Sequence, residues 1–301
     1  MKVYVNRQPI RTAWGGGTRF VNALYDIGPS FNLQFVGPNE TPDVIFVAGI
    51  DRDANNPSLH ELVSYKQYYE RATAGKSVKL VLRVNENDAR KNTSHVDDYL
   101  LKAAPYVDST IFVSHWLKDY FVNKGWQTAN TSVIYNGVDS TVFSPQPKID
   151  NGKINVVCAH WSDNAMKGQW LNEAMDEFVS NHSDEYSFTF IGRTKATFKH
   201  STHIQPLAER ELGKQLGKFD LCVNASVADP GPNAVIESIS CGLPTYVHEL
   251  GGGGAEFAGA SHIYKDWSTL ESILLTKKFE KNTTTFGDWN RCIECFINQI
   301  R

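Results

Sequence analysis

Short apolar runs alternate with longer amphipathic stretches along most of the chain, and this alternation restricts the fold more than any other feature of the sequence. In the first half, the runs typical of buried strands are NLQFVG, DVIFVAGI, VKLVLRVN, STIFVS and TSVIYN. The stretches with helical spacing between them are LHELVSYKQYYERATAG, HVDDYLLKAAP and HWLKDYFVNKG. Strands that alternate with helices predict a parallel sheet with helices on both faces.

The alternation pauses at residues 143–153, FSPQPKIDNGK, where prolines, a glycine and polar side chains predict a hinge. It restarts with the strands INVVCAH, SFTFIGR, HIQPL, LCVNAS and PTYVHEL and the helices AMKGQWLNEAMDEFVSN, AERELGKQLGKF and NAVIESISCG. We therefore predict two facing doubly wound α/β domains, residues 1–146 and 147–285, with a cleft between them at the strand ends. Residues 286–301 are predicted to form a helix that can pack back on the first domain.

The charge and composition of the chain argue against several classes of partner. The formal net charge is −3, whereas proteins that bind nucleic acids usually carry a basic face. The longest apolar runs fall well short of the ~20 residues that a membrane-spanning helix needs, although peripheral membrane contact stays open. The first ten residues alternate like a strand and lack the apolar core of a secretory signal, which predicts a cytoplasmic location.

The cysteines favour a reduced, non-catalytic role. There are five, an odd number, all in the second half of the chain, which fits free thiols better than a disulfide framework. Cys292 and Cys295 form a CIEC stretch within a predicted helix. We interpret them as packing residues, with redox chemistry or half of a zinc site as the alternatives.

Three consecutive glycines, Gly15, Gly16 and Gly17, follow the first predicted strand in the stretch WGGGTRF. Glycines permit close backbone approach, and the helix that follows presents free N–H groups and partial positive charge, so the stretch can bind an anion. Its spacing matches neither GxGxxG nor a Walker loop. A simple tight turn is the alternative.

A lysine lies shortly after the strand INVVCAH, in the stretch DNAMKGQW. Lys167 is expected at the entry to a helix and at the carboxyl end of a strand, where it can hold a phosphate as a point charge. The alternative is an ordinary solvated lysine on the surface.

Two carboxylates flank a predicted helix start in DPGPNAVIE, residues 229–237. Pro232 suits the first turn, which leaves Asp229 in the preceding loop and puts Glu237 about one and a half turns into the helix. Carboxylates placed in this way can accept hydrogen bonds from sugar or ribose hydroxyls. The alternative is that Asp229 caps the turn and Glu237 is exposed. A second run of glycines, in HELGGGGAEFAG, follows the next strand and permits close backbone approach beside this helix.

Six stretches in this order resemble glycosyltransferase family 4, the large retaining group with the GT-B fold. They are WGGGTRF, VSHWLKDYF, VIYNGVDSTVF with Pro145, MKG, DPGPNAVIESISCGLPTYV and GGGGAEF. The resemblance runs along most of the chain and implies two facing Rossmann-like domains that bind a nucleotide sugar.

The resemblance also implies roles for individual residues. Glu237 would bind the ribose hydroxyls of the donor, Asp229 the hydroxyls of the donor sugar, and Lys167 the diphosphate, helped by the amides of Gly15, Gly16 and Gly17. The residues expected to border the nucleotide are Gly231, Asn233, Gly252 and Gly253.

The second domain departs from the family pattern at two places. Asp229 stands where many members have Glu, which favours a different hydroxyl geometry. Ser162 and Trp161 stand where many members carry an Arg before the Lys. Arg193, in FIGR at the next strand end, can share the phosphate contact, or it can be a surface arginine.

The first domain departs at the place where many relatives carry a His after the fourth strand. Here the stretch is VLRVNENDARKN, in which Asn85 is the expected substitute and a catalytic candidate, because an amide can bind a sugar hydroxyl without titrating near neutral pH. Arg83 and Arg90 are candidates for contacting the acceptor. His115 is expected to cap or pack at the start of its helix.

The sequence and the resemblance together predict a retaining, metal-independent glycosyltransferase that needs no cofactor. It would pass a sugar from a nucleotide diphosphate sugar to a hydroxyl of a glycan or another acceptor, with the leaving phosphate taking the acceptor's proton. An inactive nucleotide-sugar-binding pseudoenzyme is the alternative. A nicotinamide-dependent dehydrogenase is disfavoured, because no GxGxxG follows the first strand.

Overall fold

The computed structural model describes residues 1–11, 15–50, 57–73, 75–127 and 130–301, which pack into two compact units. Unit 1 comprises Met1–Asp88, Thr93–Gly137 and Gly287–Arg301, and unit 2 comprises Ala89–Asn92 and Val138–Phe286. Each unit contains its own sheet and its own apolar core.

Within its described residues, unit 1 has six strands. They are β1 Lys2–Val5, β2 Gln34–Phe35, β3 Val44–Val47, β4 Lys79–Val84, β5 Ser109–Phe112 and β6 Thr131–Val133. They form one parallel sheet in the order β2-β1-β3-β4-β5-β6. Its helices include α1 Gly16–Ile27, α2 Leu59–Ala72, α4 Val96–Ala103, α5 His115–Asn123 and α11 Trp289–Ile300, and the short helix α3 Asp88–Lys91 runs from unit 1 into unit 2.

Unit 2 has six strands of its own among the residues that the structure describes. They are β7 Ile154–His160, β8 Tyr186–Gly192, β9 Thr202–Ile204, β10 Leu221–Asn224, β11 Thr245–His248 and β12 Ile263–Tyr264. They form a second parallel sheet in the order β12-β11-β10-β7-β8-β9. The helices of this unit include α6 Gln169–Asn181, α7 Glu209–Leu216, α8 Asn233–Ser240, α9 Gly253–Ala258 and α10 Trp267–Leu275.

Both sheets follow from the apolar runs in the sequence. All four residues of β3, VIFV, are buried, as are all four of β10, LCVN; strands covered by helices on both faces carry such unbroken runs. The α/β prediction is therefore confirmed, strand by strand, for the runs named above.

The C-terminal helix α11 packs on unit 1. Its buried face joins the core around α1 and β3, where the Phe296 ring lies 5.4 Å from Phe20 and 4.6 Å from Phe46. In the CIEC stretch, Cys292 is buried in this core and Cys295 packs against it. Both cysteines are free thiols, as the packing interpretation requires.

The predicted helix over 165–181 is wrong in one respect, because it is broken at Gly168. A 3₁₀ turn, Ala165–Lys167, comes first, and α6 begins after it. Gly168 has φ = +75°, and a Cβ there would lie 2.4 Å from the carbonyl oxygen of Ala225. The chain must therefore leave helical geometry at this residue to approach β10 so closely.

Three elements in the last part of unit 2 were not predicted: helix α9, strand β12 and helix α10. Strand β12 has only two residues, too few for a period to show. Helix α10 could have been predicted from the sequence. Asp266 is its N-cap, whose side chain accepts a hydrogen bond from the Thr269 N–H, and Leu270 and Leu274 lie four residues apart on its buried side.

The segment expected to be a hinge packs on unit 2. The backbone N–H groups of Gln146 and Ile149 donate to the carbonyl oxygens of Gly217 and Lys218, and Phe143 is buried. In the described part of the chain, no helix is long and apolar enough to cross a membrane.

Candidate active site

The strand order of unit 2 indicates where a ligand can bind. The chain enters the sheet at β7, builds β8 and β9 on one side, and then returns to build β10, β11 and β12 on the other. The order therefore reverses between β7 and β10. Open α/β sheets bind ligands at such a switch point, beyond the carboxyl ends of the strands. Lys167 follows β7 and Asp229 follows β10, so the two residues flank this position.

The loop after β7 is held in a defined shape. The Asn164 side chain accepts a hydrogen bond from the Met166 N–H, which caps the 3₁₀ turn that carries Lys167. The Met166 carbonyl accepts from the Val227 N–H at 2.7 Å. This bond ties the lysine loop to the loop after β10, and the close approach of Gly168 to Ala225 reinforces the tie.

Asp229 lies in the loop after β10, next to a residue with an unusual backbone conformation. Ala228 has φ = +49°, a conformation that costs a residue with a side chain about 1 kcal/mol or more and that clusters at functional sites. The Asp229 carbonyl accepts from the Gly253 N–H at 2.8 Å, and a Cβ on Gly252 would lie 2.8 Å from the same oxygen. Gly252 and Gly253 therefore let the loop after β11 close against Asp229.

Asp229 lies at the centre of a charge cluster. Its carboxylate forms an ion pair with the Lys167 ammonium and lies 3.8 Å from Nε of Arg90, which packs with unit 2. Burial alone raises the pKa of the Asp229 carboxyl, but Lys167, Arg90 and the Gly231 N–H more than offset this effect, so the pKa is lowered. Burial lowers the pKa of the Lys167 amine, against the partial opposition of Asp229.

Glu237 lies one turn into α8 and is only 4% exposed. The alternative that left this residue on the surface is therefore wrong. Pro232 is the N-cap of α8 and Asn233 is its first residue. The N-cap residue Pro232 makes no side-chain cap bond. The Asp229 carboxylate accepts from the Gly231 N–H, so it does cap the turn before the helix, as that part of the alternative had it.

A histidine at the end of β7 adds a polar group that sequence reasoning did not single out. The Nδ1 of His160 lies 2.8 Å from the Ser162 carbonyl, which fixes a tautomer with the proton on Nδ1. Burial and the nearby Lys167 lower the pKa of His160 to about 3, so the ring is neutral at physiological pH. A histidine at the carboxyl end of a strand was the signal that could have identified it.

Arg193 follows β8 directly and is exposed. Its guanidinium carbon lies 4.1 Å above the ring of Trp161, the first residue after β7. Trp161 therefore packs against an arginine from the neighbouring strand.

In unit 1 the structure brings two predicted positions together. Gly15 is the N-cap of α1, Gly16 and Gly17 are its first residues, and neither a side-chain cap nor an acidic residue occupies its first turn. A Cβ on Gly17 would lie 2.8 Å from Nδ2 of Asn85. The glycine run thus allows the Asn85 amide to approach the start of the helix; Trp14, in the same stretch, lies outside the described residues.

The structure places three basic residues that the sequence singled out, and one of them, Arg83, differs from expectation. Arg83 is 1% exposed, lies 4.2 Å from the Phe20 ring centre and donates to Asn136, so it is a core residue and does not face an acceptor. Burial lowers its pKa to about 10. Arg90 faces Asp229. The N-cap of α5 is Ser114, which accepts from the Leu117 N–H. His115 is the first residue of the helix and packs against Tyr135, with the ring centres 6.0 Å apart, as the packing expectation had it.

Comparisons with known proteins were informative at the level of fold. No family model matches the chain, and no curated protein matches it. The structure of Anabaena HepE in complex with UDP and glucose matches with a TM-score of 0.71 at 12% identity, over 99% of this chain and 98% of that one.

Two further structures match over nearly their whole length. Sucrose-phosphate synthase from Thermosynechococcus elongatus has a TM-score of 0.67 at 11% identity, over 99% of this chain and 96% of that one. The lipopolysaccharide outer core galactosyltransferase WaaB, in its apo form, has a TM-score of 0.67 at 14% identity, over 100% of this chain and 99% of that one. The chain has the GT-B fold, the fold of these glycosyltransferases.

Proposed function

We propose that this protein is a retaining, metal-independent glycosyltransferase that transfers a sugar from a nucleotide diphosphate sugar to a hydroxyl of a glycan or another acceptor. The observation that carries the proposal is the buried Lys167–Asp229 ion pair at the switch point between β7 and β10, with Glu237 buried one turn into the adjoining helix. The GT-B neighbours add support, since HepE has been seen with UDP-glucose and with UDP and glucose.

In this proposal the ion pair is the resting state of the donor site. When the donor binds, the Lys167 ammonium turns to the diphosphate, and the freed Asp229 carboxylate accepts hydrogen bonds from hydroxyls of the transferred sugar. Lys167 then pairs with the charged diphosphate, and Asp229 keeps Arg90, whose Nε lies 3.8 Å away, as its charged partner. This matters because an unpaired charge in a buried site is expensive.

Glu237 would accept hydrogen bonds from both ribose hydroxyls, as a buried carboxylate on a rigid helix can do. Gly231, Asn233, Gly252 and Gly253 would border the nucleotide. The proposal also assigns the amides of Gly15, Gly16 and Gly17 to the diphosphate and the Asn85 side chain to a sugar hydroxyl. A cytoplasmic location is part of the proposal as well.

The reaction would proceed by front-face attack. The bond between the anomeric carbon and the leaving phosphate oxygen breaks and its electron pair stays on that phosphate, while the acceptor oxygen bonds to the anomeric carbon from the same face. The leaving phosphate oxygen takes the acceptor's proton. Lys167 and backbone N–H groups would stabilise the departing diphosphate, the kind of preorganised electrostatic effect that supplies much of enzymatic rate enhancement.

A donor panel tests this function. UDP-, GDP-, ADP-, dTDP- and CMP-sugars are incubated with the protein in EDTA without acceptor, and the released sugar is followed by proton NMR. The expected result is slow hydrolysis of one donor, with the sugar appearing first in the anomeric configuration of that donor. Appearance of the opposite anomer would refute retention, and loss of turnover in EDTA would refute metal independence.

The rival functions give different outcomes in the same panel. A pseudoenzyme would bind one nucleotide sugar without hydrolysis or transfer, even when acceptors are added. A nicotinamide-dependent enzyme would bind NAD and none of the nucleotide sugars.

A further inference from the structure

The imidazole ring of His248 lies at the carboxyl end of β11, between two aromatic side chains from other elements of unit 2. Its centre is 5.9 Å from the ring of Trp170 in α6 and 5.6 Å from the ring of Tyr264 in β12, both in edge-to-face geometry. Tyr264 is fully buried, and its hydroxyl donates to the Asn224 carbonyl at 2.9 Å. The His248 ring is therefore held from two sides.

The Nδ1 atom of this ring bonds to the loop after β11. It accepts a hydrogen bond from the Leu250 N–H at 3.2 Å, so in the neutral ring the proton is on Nε2. The Leu250 carbonyl in turn accepts from the Ala228 N–H at 2.8 Å. The peptide groups on either side of Leu250 are thus bound, one to the His248 side chain and the other to the Ala228 backbone.

The placement of Asp229 depends on this loop. Ala228, the residue before it, has φ = +49°, a conformation that a residue with a side chain keeps only where the surrounding structure imposes it. The bond from Ala228 to the Leu250 carbonyl and the bond from the Gly253 N–H to the Asp229 carbonyl, both at 2.8 Å, hold this turn from the loop after β11. A bond that fixes Leu250 therefore also restricts the direction of the Asp229 carboxylate.

Packing alone does not require a histidine at position 248. A phenylalanine ring makes edge-to-face contacts of the same kind with Trp170 and Tyr264. What the histidine adds is an acceptor nitrogen whose direction is set by the packed ring. Leu250 is 58% exposed, and without that acceptor its N–H bonds to water, which imposes no fixed direction on the peptide group. Functional side chains need such supporting bonds to stay in their productive geometry.

We propose that His248 is a positioning residue for Asp229. Through Nδ1 it fixes the Leu250 peptide groups, and through them the turn that directs the Asp229 carboxylate to a hydroxyl of the transferred sugar. His248 itself does not touch the donor. The inference rests on the proposed function and deepens it, because it names a residue that controls the rate of sugar transfer without contributing to nucleotide affinity.

Two substitutions separate the acceptor nitrogen from the ring. His248→Phe keeps an aromatic ring between Trp170 and Tyr264 and removes the acceptor, whereas His248→Asn removes the ring and keeps an acceptor oxygen close to the position of Nδ1. Hydrolysis is measured with the donor that turns over among UDP-, GDP-, ADP-, dTDP- and CMP-sugars. His248→Phe is expected to lower kcat about fivefold, the size of one neutral hydrogen bond, and to leave the Kd of the matching free nucleotide within about twofold. His248→Asn should stay within about twofold of wild type in both quantities.

Amide exchange gives a second readout that does not depend on turnover. The Ala228 N–H, followed by NMR, should exchange about fivefold faster in His248→Phe and at the wild-type rate in His248→Asn. The matched control is His200→Phe, which replaces an exposed histidine of the same unit. This variant should change neither kcat nor the exchange of Ala228.

The outcomes separate the inference from the function on which it rests. If packing is the only role of His248, the order of the variants reverses, with His248→Phe like wild type and His248→Asn impaired. That order, or an equal loss of kcat and nucleotide affinity in His248→Phe, overturns the role of His248 while the proposed function stands. A wild-type protein that hydrolyses none of the nucleotide sugars and transfers from none of them to an acceptor overturns both.

Discussion

The replacement of Asp229 by asparagine tests how much the buried Lys167–Asp229 ion pair stabilises the protein. The substitution keeps the volume of the side chain and removes its charge. In the wild-type protein the carboxylate is 6% exposed and pairs with Lys167, whose side chain is 12% exposed. Without that charge, the buried ammonium faces a neutral amide, and Arg90 also loses the carboxylate that lies 3.8 Å from its Nε.

The cost can be estimated from the kinds of interaction lost. Removing one partner of a buried pair costs about 3–5 kcal/mol. The asparagine side chain would still offer Lys167 a carbonyl oxygen, so the lower part of this range applies. The contact with Arg90 adds little, because the Arg90 side chain is 27% exposed. We expect the free energy of unfolding to fall by about 3 kcal/mol at neutral pH.

The effect should depend on pH in a defined direction. The folded-state pKa of Asp229 is lowered, so the carboxylate stabilises the fold above its unfolded pKa of about 3.9 and loses this contribution as pH falls through the folded value. The difference between wild type and Asp229→Asn should therefore be complete at pH 7 and shrink below about pH 4.

Urea unfolding of unit 2 measures this difference, with amide exchange of peptides from β10 and α8 as the local readout. Asp184→Asn, which neutralises an exposed aspartate in the same unit, is the matched control. In a Lys167→Met background, Asp229→Asn should cost clearly less, because the buried ammonium is absent. A cost equal to that of Asp184→Asn, or one that does not change with pH, would refute the reasoning.

Three further predictions concern the function, the backbone and the thiols. Glu237→Gln should lower donor kcat/KM by about tenfold or more while the circular dichroism spectrum stays unchanged, because a charged hydrogen-bond acceptor is lost; unchanged kcat/KM would remove Glu237 from the donor site. Gly168→Ala should lower stability more than Gly152→Ala, since both glycines have positive φ but only Gly168 also meets Ala225, at 2.4 Å; equal urea midpoints would contradict this. With a thiol reagent at pH 8, Cys295 should react first, because burial raises the pKa of Cys292 to about 11 and Cys158, Cys222 and Cys241 are buried; early loss of a buried thiol would contradict it.

The fold was predictable because its signal is local. Each buried strand is a short apolar run bounded by polar residues, and each amphipathic helix repeats its apolar residues over several turns. The break at Gly168 could not be read in this way, because its cause is the backbone of Ala225, which lies far away in sequence.

The site was predictable only in part. Strand ends and glycine runs indicated where Lys167, Asp229 and Glu237 would lie, but the pairing of Lys167 with Asp229 joins loops 62 residues apart. Arg83 was misjudged because its polarity suggested an exposed position, whereas the pleat of β4 turns it toward Phe20 and the core. The stack of Arg193 on Trp161 depends on the pairing of β7 with β8, which no motif in the sequence encodes.

A crystal structure of the protein with the nucleoside diphosphate that it binds best would test the central claim most directly. The account predicts the diphosphate beside the Lys167 ammonium, the Lys167–Asp229 ion pair opened, and the ribose hydroxyls within hydrogen-bond distance of the Glu237 carboxylate. A nucleotide bound elsewhere, with the Lys167–Asp229 pair intact and Glu237 out of reach of the ribose, would contradict it.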